Sequence, residues 1–207
     1  MNRSIRNLTL DEVQTLLDWA AREGWNPGVG DAAAFYAADP KGFLGAFVGD
    51  TMVAGIAAVA YNTSFGFIGL YICHPDWRGQ GHGKAVWDAG IAYLGDRSIG
   101  LDGVPDQQAN YTSMGFVPAY QSARMGGVLA SGARTMPAAT RADMAAIATL
   151  DSQCFPAGRP DFLGHWIAQP NRLLVTERDG ALVGYADRKS TRLNSSHSGE
   201  SRMPSSA

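Results

Sequence analysis

Charge and cysteine are both scarce in this 207-residue chain. Only 17% of its residues are Asp, Glu, Lys or Arg, and they nearly cancel, leaving a formal net charge of −2. That excludes the basic footprint on which nucleic-acid binding rests. The two cysteines, Cys73 and Cys154, stand far apart with no C-x-x-C pair. Neither a disulfide framework nor a zinc site follows, and a reducing cytoplasm is the expected setting. Four histidines are scattered, so no metal is expected. The longest apolar run, Met52 to Tyr61, is half of a ~20-residue membrane span. The opening MNRSIRNLTLDEV lacks the apolar core of a signal peptide. A hydrophobic share of 45% is ordinary for a soluble protein and gives ample core for one or two domains.

One stretch organises the rest: Phe65 to Trp87, FGFIGLYICHPDWRGQGHGKAVW. The run Phe67 to Cys73 has the length and branched content of a buried strand. Pro75 stops it, having no N–H for a ladder. Beyond the glycine-rich turn, Val86, Trp87, Gly90, Ile91 and Leu94 keep helical spacing. Strand, glycine turn and helix in that order make an anion site. Gly79, Gly81 and Gly83 permit φ > 0 and close backbone approach, and the first N–H groups of a helix lack internal acceptors at its positive end. The P-loop pattern fails, because Arg78 stands where a glycine is needed and Ala85 where Ser or Thr is needed. The Rossmann spacing fails as well, since the glycines run G-x-G-x-G.

What fits is Gln/Arg-x-x-Gly-x-Gly/Ala, filled by Arg78, Gly81 and Gly83. With Pro75-Asp76-Trp77-Arg78-Gly79 and the strand before it, this resembles motif A of the GNAT superfamily of acetyl-CoA-dependent N-acetyltransferases. The order of elements agrees. A strand at Ile5–Leu8 leads to a helix capped by Thr9 and Glu12, carrying Leu10, Val13, Leu16, Leu17 and Ala20 on one face and ended by Gly24. A type II turn is expected at Pro27-Gly28, and Asp31 as the cap of a helix over Ala32–Ala38. Strands follow at Gly42–Val48 and Met52–Tyr61. After the phosphate turn come a strand at Ile99–Leu101, a helix at Gln107–Met114, and a last hairpin at Phe116–Tyr120 and Ala123–Val128. Tyr111-Thr112-Ser113-Met114-Gly115-Phe116 resembles the family's Tyr-x-x-x-Gly-Phe ending. The implied fold is α/β (α+β): a mixed, mostly antiparallel central sheet flanked by helices.

EGWNPG at Glu23, DPKGF at Asp39 and GLDGVPDQQANY at Gly100 look like a tandem subfamily, in which a second GNAT-like lobe follows the first. The sequence supports a repeat. Phe47–Ala57, FVGDTMVAGIA, and Thr176–Ala186, TERDGALVGYA, read as the same hairpin. Upstream of the second, Arg134–Ala138 resembles the first strand, and Thr140–Asp143 opens a helix with Met144, Ile147, Ala148 and Leu150. Arg188 to Ala207 holds seven serines without apolar period, which reads as disordered. It also looks like a translated cloning or adapter sequence. The expected division is therefore 1–131 for the acetyltransferase domain, 132–187 for an incomplete second lobe and 188–207 for a non-native tail. Without the tail, 13 Lys and Arg face 18 Asp and Glu, a net charge of −5. That balance favours a cationic amine over an anionic acceptor.

The resemblance implies specific roles. Backbone N–H groups from Gly79, Gln80, Gly81, His82, Gly83 and Lys84, with Arg78, would hold the pyrophosphate of acetyl-CoA. The strand edge at Ile72 and Cys73 would pair with the pantetheine arm through backbone, so Cys73 need not react. A bulged central strand, made plausible by Gly69, would aim an N–H at the thioester carbonyl. Tyr111 would protonate the departing thiolate. Many relatives carry a basic carboxylate on the central strand, and Phe65 to Cys73 has none. Glu23, Asp31, Asp102 and His74 are the candidates left, and a base acting through water is the alternative. Glu23, Trp25, Asn26 and Asp31, with Phe35 and Tyr36, either line the acceptor pocket or only pack and cap their loop. The partners implied are acetyl-CoA and an amine of a small molecule or protein, with no nucleic acid and no membrane; the oligomeric state is open. The missing carboxylate keeps a rival in view, a non-catalytic acyl-CoA-binding or sensing module.

Overall fold

The computed structural model describes residues 3–121, 136–168 and 173–187. Five strands form one sheet in the order β1 (Arg3–Asn7), β2 (Phe43–Val48), β3 (Thr51–Ala60), β4 (Phe65–Cys73), β5 (Ser98–Leu101). Neighbours from β1 to β4 run antiparallel, and β5 joins β4 in parallel. Helices α1 (Leu10–Arg22) and α2 (Asp31–Ala38) cover one face and α3 (His82–Leu94) the other. This is the mixed, mostly antiparallel sheet expected from the sequence.

Local chemistry explains the elements. Thr9 accepts from the Glu12 N–H, and the Glu12 carboxylate accepts from the Thr9 N–H at 2.8 Å, a complete capping box. Val13, Leu16, Leu17 and Ala20 then face the sheet fully buried. Gly24 closes α1 at φ +80°, with its N–H on the Ala21 carbonyl and the Trp25 N–H on the Ala20 carbonyl. Gly55 lets α1 lie close on β3: a Cβ there would stand 2.8 Å from Leu16 Cδ1. On the other face Val86, Trp87 and Leu94 of α3 pack on Ile56, Ala58 and Ile68.

Three expectations are corrected. Gly28 is not among the residues with positive φ, so Pro27-Gly28 is not a type II turn. The left-handed residue is Asn26 at φ +51°, and the chain turns at Val29-Gly30. Asp31 is the first residue of α2 rather than its cap; its carboxylate reaches back to accept the Gly28 N–H at 2.7 Å. Phe116–Tyr120 forms no strand. Pro118 removes a ladder donor, and Val117 and Tyr120 stand exposed. The other half of that hairpin, Ala123–Val128, lies outside the described residues, as do Arg134, Thr135, Arg172 and the Arg188–Ala207 tail.

Beyond β5, a 3₁₀ turn at Pro105–Gln107 leads into α4 (Gln108–Ser113). The C-terminal part holds α5 (Met144–Cys154), α6 (Pro160–Ile167) and a hairpin of β6 (Leu173–Arg178) and β7 (Ala181–Asp187). The sequence reading has no counterpart for α6. Its Phe162 stacks on Phe35 of α2 with ring centroids 6.0 Å apart. Phe155 sets its ring against Tyr61, Phe65 and Phe67. Behind this seam Asp151, nearly inaccessible, takes two hydrogen bonds from Arg159, and Arg159 lies over the rings of Phe155 and Phe162. The Tyr185 hydroxyl donates to the same carboxylate and is pushed up to about 12, first by burial and then by that hydrogen bond.

Candidate functional site

The glycine turn between β4 and α3 builds a cradle. Pro75–Trp77 form one 3₁₀ turn, then Gly79 and Gly81 take φ +74° and +79°. Gly81 caps α3 in the left-handed region, which any residue with a Cβ pays to enter. A Cβ at Gly79 would meet nothing within 4 Å, and one at Gly81 only Arg3 Nη1 at 4.0 Å. The turn is therefore open outward, with the first-turn N–H groups of α3 facing away from the helix body. Gly83 is different. A Cβ there would stand 3.1 Å from the Tyr71 hydroxyl and 3.7 Å from Cys73 Cβ, so Gly83 lets α3 press onto β4.

The side chains of the turn point elsewhere. His82 is buried, with its Nδ1 unpartnered and its ring edge-on to Trp77. Lys84 holds Asp88 at 2.7 Å. Gln80 Nε2 donates to the Asp76 carbonyl. Arg78 donates Nε to the Cys73 carbonyl at 3.0 Å and pairs its Nη2 with Glu23. Arg3 from β1 donates to the Gly81 carbonyl at 3.1 Å. What the turn offers outward is therefore chiefly backbone.

Beside the cradle the sheet opens. β5 pairs with β4 only from Phe65↔Ser98 to Ile68↔Leu101. Just past that point β4 bulges against β3: the register passes from Ala57↔Gly69 to Gly55↔Ile72. Leu70 carries the left-handed backbone at φ +47°, not its glycine neighbour. The His74 N–H bonds the Val53 carbonyl, so by the two-residue period Ile72 also turns its backbone toward β3. Tyr71 and Cys73 then present theirs to the opened side. Of the two residues expected to form the edge, Cys73 faces the opened side through its backbone, whereas Ile72 faces β3 and is buried in the core; Tyr71 is the other residue whose backbone faces the opening. No alternation rule could have shown this, because the bulge resets the phase. The Cys73 thiol is pushed up by burial, against the Gly83 N–H and Arg78.

Across the opening, Tyr111 of α4 stacks on Trp87 at 5.8 Å and meets Phe116 edge-on. Burial pushes its phenol up. The Tyr71 hydroxyl is raised by burial too, and Tyr111 adds to that rise. The Tyr71 hydroxyl lies under the start of α3, near Gly83, and Tyr111 lies against Trp87 of the same helix.

The model of the acetyltransferase (GNAT) family matches residues 10–116, and that of an acetyltransferase (GNAT) domain matches residues 147–195. The chain belongs to the GNAT acetyltransferase family. Over 120 residues it is 36% identical to holothin acyltransferase of Pseudoalteromonas sp. (strain SANK 73390), a match that covers 58% of this chain and 41% of that protein. A candidate acetyltransferase from Pyrococcus horikoshii shares its fold at TM-score 0.63 and 19% identity, over 84% of this chain and 65% of that one. Ard1 from Thermoplasma volcanium does so at TM-score 0.51 and 19% identity, over 58% of this chain and 86% of that one. The chain therefore spans less than half of the curated relative it matches.

Within this GNAT fold the acceptor-side candidates divide. Glu23 is committed to Arg78, tying the end of α1 to the cradle. Asp31 is 5% exposed and holds Gly28, so it shapes the loop from inside. Trp25, Phe35 and Tyr36 pack partly buried against the α1–α2 core. Asn26 is half-buried. His74 sets its ring edge-on to Trp19 at 5.3 Å, with Nδ1 3.7 Å from Asp76 Oδ2, beyond hydrogen-bond reach. Among the described residues no group of three or more His, Cys, Asp or Glu could hold a metal, and no helix is long and apolar enough to cross a membrane.

Proposed function

We propose that the first lobe, through about residue 131, is an N-acetyltransferase that moves the acetyl group of acetyl-CoA directly to an amine. The observation that carries this reading is the outward-open turn with two left-handed glycines at the positive end of α3, set beside a bulged strand whose partner departs. The amides from Gly79 to Lys84 would take the diphosphate. Tyr71 and Cys73 would pair through backbone with the amide-bearing arm, directing the thioester to Leu70. An N–H freed by the bulge would stabilise negative charge on the carbonyl oxygen; removing such a donor typically costs ~10²-fold or more in rate.

Tyr111 would give its proton to the departing thiolate. Its raised pKa keeps that proton in place at neutral pH. The same burial that raises the phenol also raises a thiol, so the two stay matched within the site. The relative named for holothin supports acyl transfer as a class. The acceptor here is put no more narrowly than an amine of a small molecule or protein. Residues 132–187 would belong to a second GNAT-like lobe, supported by the second family match. A cytoplasmic setting is part of the reading, supported by the free thiols of Cys73 and Cys154.

The test is calorimetric titration with acetyl-CoA, together with thiol release over a panel of amines. Binding with release supports the enzyme. Binding without release from any amine would leave an acyl-CoA-binding module, and no binding would remove both.

A further inference from the structure

An amine with a pKa near that of lysine, ~10.4, is only about one part in 10³ free base at pH 7, so transfer to it needs a base. β4 carries no carboxylate, and the structure commits most of the others nearby. Glu23 pairs with Arg78, Asp88 with Lys84, and Asp31 is buried against Gly28. Asp39 accepts from the Tyr93 hydroxyl and from the amides of Lys41 and Ala60. His74 is packed on Trp19.

Resting on the acetyltransferase reading, we infer that Asp102 is the general base, working from just past the end of β5 across the opening into the space left by Gly69.

Three observations place it there. First, the faces of β5 alternate visibly. A Cβ at Gly100 would meet the rings of Phe65 and Phe67, on the α1–α2 face, whereas Leu101 packs with the α3 core. A Cβ at Gly103 would meet Tyr111 and Leu101, again on the α3 face. Asp102, between Leu101 and Gly103, therefore falls on the α1–α2 face. Second, the last paired residues are Ile68↔Leu101, so Asp102 stands opposite Gly69 at the point where the strands part, ~4.8 Å apart where paired and farther beyond. Ile68 packs with the α3 core, which puts Gly69 on the α1–α2 face beside Asp102. Third, that face is vacant at Gly69: a Cβ there would meet nothing within 4 Å. Asp102 itself is half-buried, and among the described residues its carboxylate accepts no hydrogen bond.

The step balances simply. Asp102 takes a proton from the ammonium form. The amine nitrogen then bonds to the thioester carbonyl carbon and the C–S bond breaks. The thiolate takes the Tyr111 proton, and the second N–H proton leaves to solvent; Asp102 then gives its proton to solvent and Tyr111 regains one from it, so one proton is released per turnover. The products are the amide and free coenzyme A.

The experiment uses the full chain, acetyl-CoA and primary alkylamines, with thiol release followed from pH 6 to 10. Asp102→Asn should lower kcat/KM for the amine about 10²-fold or more at pH 7 while leaving acetyl-CoA affinity by calorimetry within twofold. The deficit should shrink about tenfold per pH unit as solution supplies the free base. Gly69→Glu added to Asp102→Asn should recover part of the loss, because the vacant side accepts the new carboxylate. A kcat/KM within threefold of the parent, a deficit insensitive to pH, or a parallel loss of acetyl-CoA binding would each overturn the assignment. If the parent protein itself releases no thiol with any amine, the transferase reading falls and Asp102 with it.

Discussion

Replacing Gly81 with alanine separates the two ways in which the cradle depends on glycine. At φ +79° an L-residue pays roughly 1–2 kcal/mol. Sterics add nothing, since the new Cβ would meet only Arg3 Nη1 at 4.0 Å. That strain must appear somewhere. If the loop holds its shape, stability falls by the full amount, about 2–8 °C in Tm for a chain of this size, and acetyl-CoA binds as before. If the loop relaxes when empty, stability is preserved and binding must restore the strained form. Affinity then falls about 5–30-fold, at roughly 1.4 kcal/mol per decade. Thermal melts and calorimetric titration on the same sample measure both, and the two losses should sum to roughly 1–2 kcal/mol. Gly83→Ala is the contrast. Its backbone is ordinary, and the 3.1 Å approach to the Tyr71 hydroxyl asks only for a small shift. Valine at Gly81 adds β-branching to the strain and should lose well over ten times the affinity. Unchanged Tm together with unchanged affinity in Gly81→Ala would show that the left-handed cap is not what shapes the turn.

Tyr111→Phe should lower kcat about 10²-fold with little change in acetyl-CoA affinity; an unaffected kcat in steady-state thiol release removes Tyr111 from the chemistry. Arg159→Met strips the buried Asp151 of its cation and should cost about 3–5 kcal/mol, or about 6–20 °C in Tm, while Asp151→Leu combined with Arg159→Met should cost less than either single change. Acid should destabilise through lowered carboxylates. The Arg6 hydrogen bond holds Glu12 at about 2. Burial alone would raise Asp151, but the hydrogen bonds from Arg159 and Tyr185 outweigh it and lower the group. Such groups contribute stability above their unfolded pKa and lose it as pH falls through the folded one. Melts should therefore drop between about pH 4.5 and 2. Glu12→Gln should flatten part of that slope, by no more than ~1 kcal/mol because the pair is exposed. A Glu12→Gln slope identical to the parent's refutes that share.

Where neighbouring residues decide a feature, the sequence was a sufficient guide. The Thr9–Glu12 box, the Gly24 close, the β2–β3 hairpin and the strand–turn–helix at Phe65–Leu94 all rest on contacts within a few positions. What escaped is set by residues far apart. The bulge is a mismatch between β3 and β4, so it falls on Leu70, and it turns the backbone of Tyr71 rather than that of Ile72 to the opened side. Asp31 looked like a cap because caps are acidic, and only the position of Gly28 shows what its carboxylate accepts. Glu23 looked free until Arg78, 55 positions later, came to meet it. The seam of Phe155 and Phe162 against Tyr61, Phe65 and Phe35 joins segments with no shared pattern, and no periodicity announces it.

Charge alone gives the cradle little hold on an anion. The chain is acidic overall, and at physiological salt anything beyond ~8 Å is largely screened. Of the nearby cations, Lys84 is matched by Asp88 and Arg78 by Glu23. Arg3, with no ion pair among the described residues, already spends one donor on the Gly81 carbonyl. What remains is the roughly half charge at the start of α3 and a row of aimed N–H groups. These act through position, at hydrogen-bond distance, where salt screens weakly. A diphosphate here would therefore be held by the shape of the backbone, and the loss of the Lys84 ammonium should matter less to it than a single methyl group at Gly81.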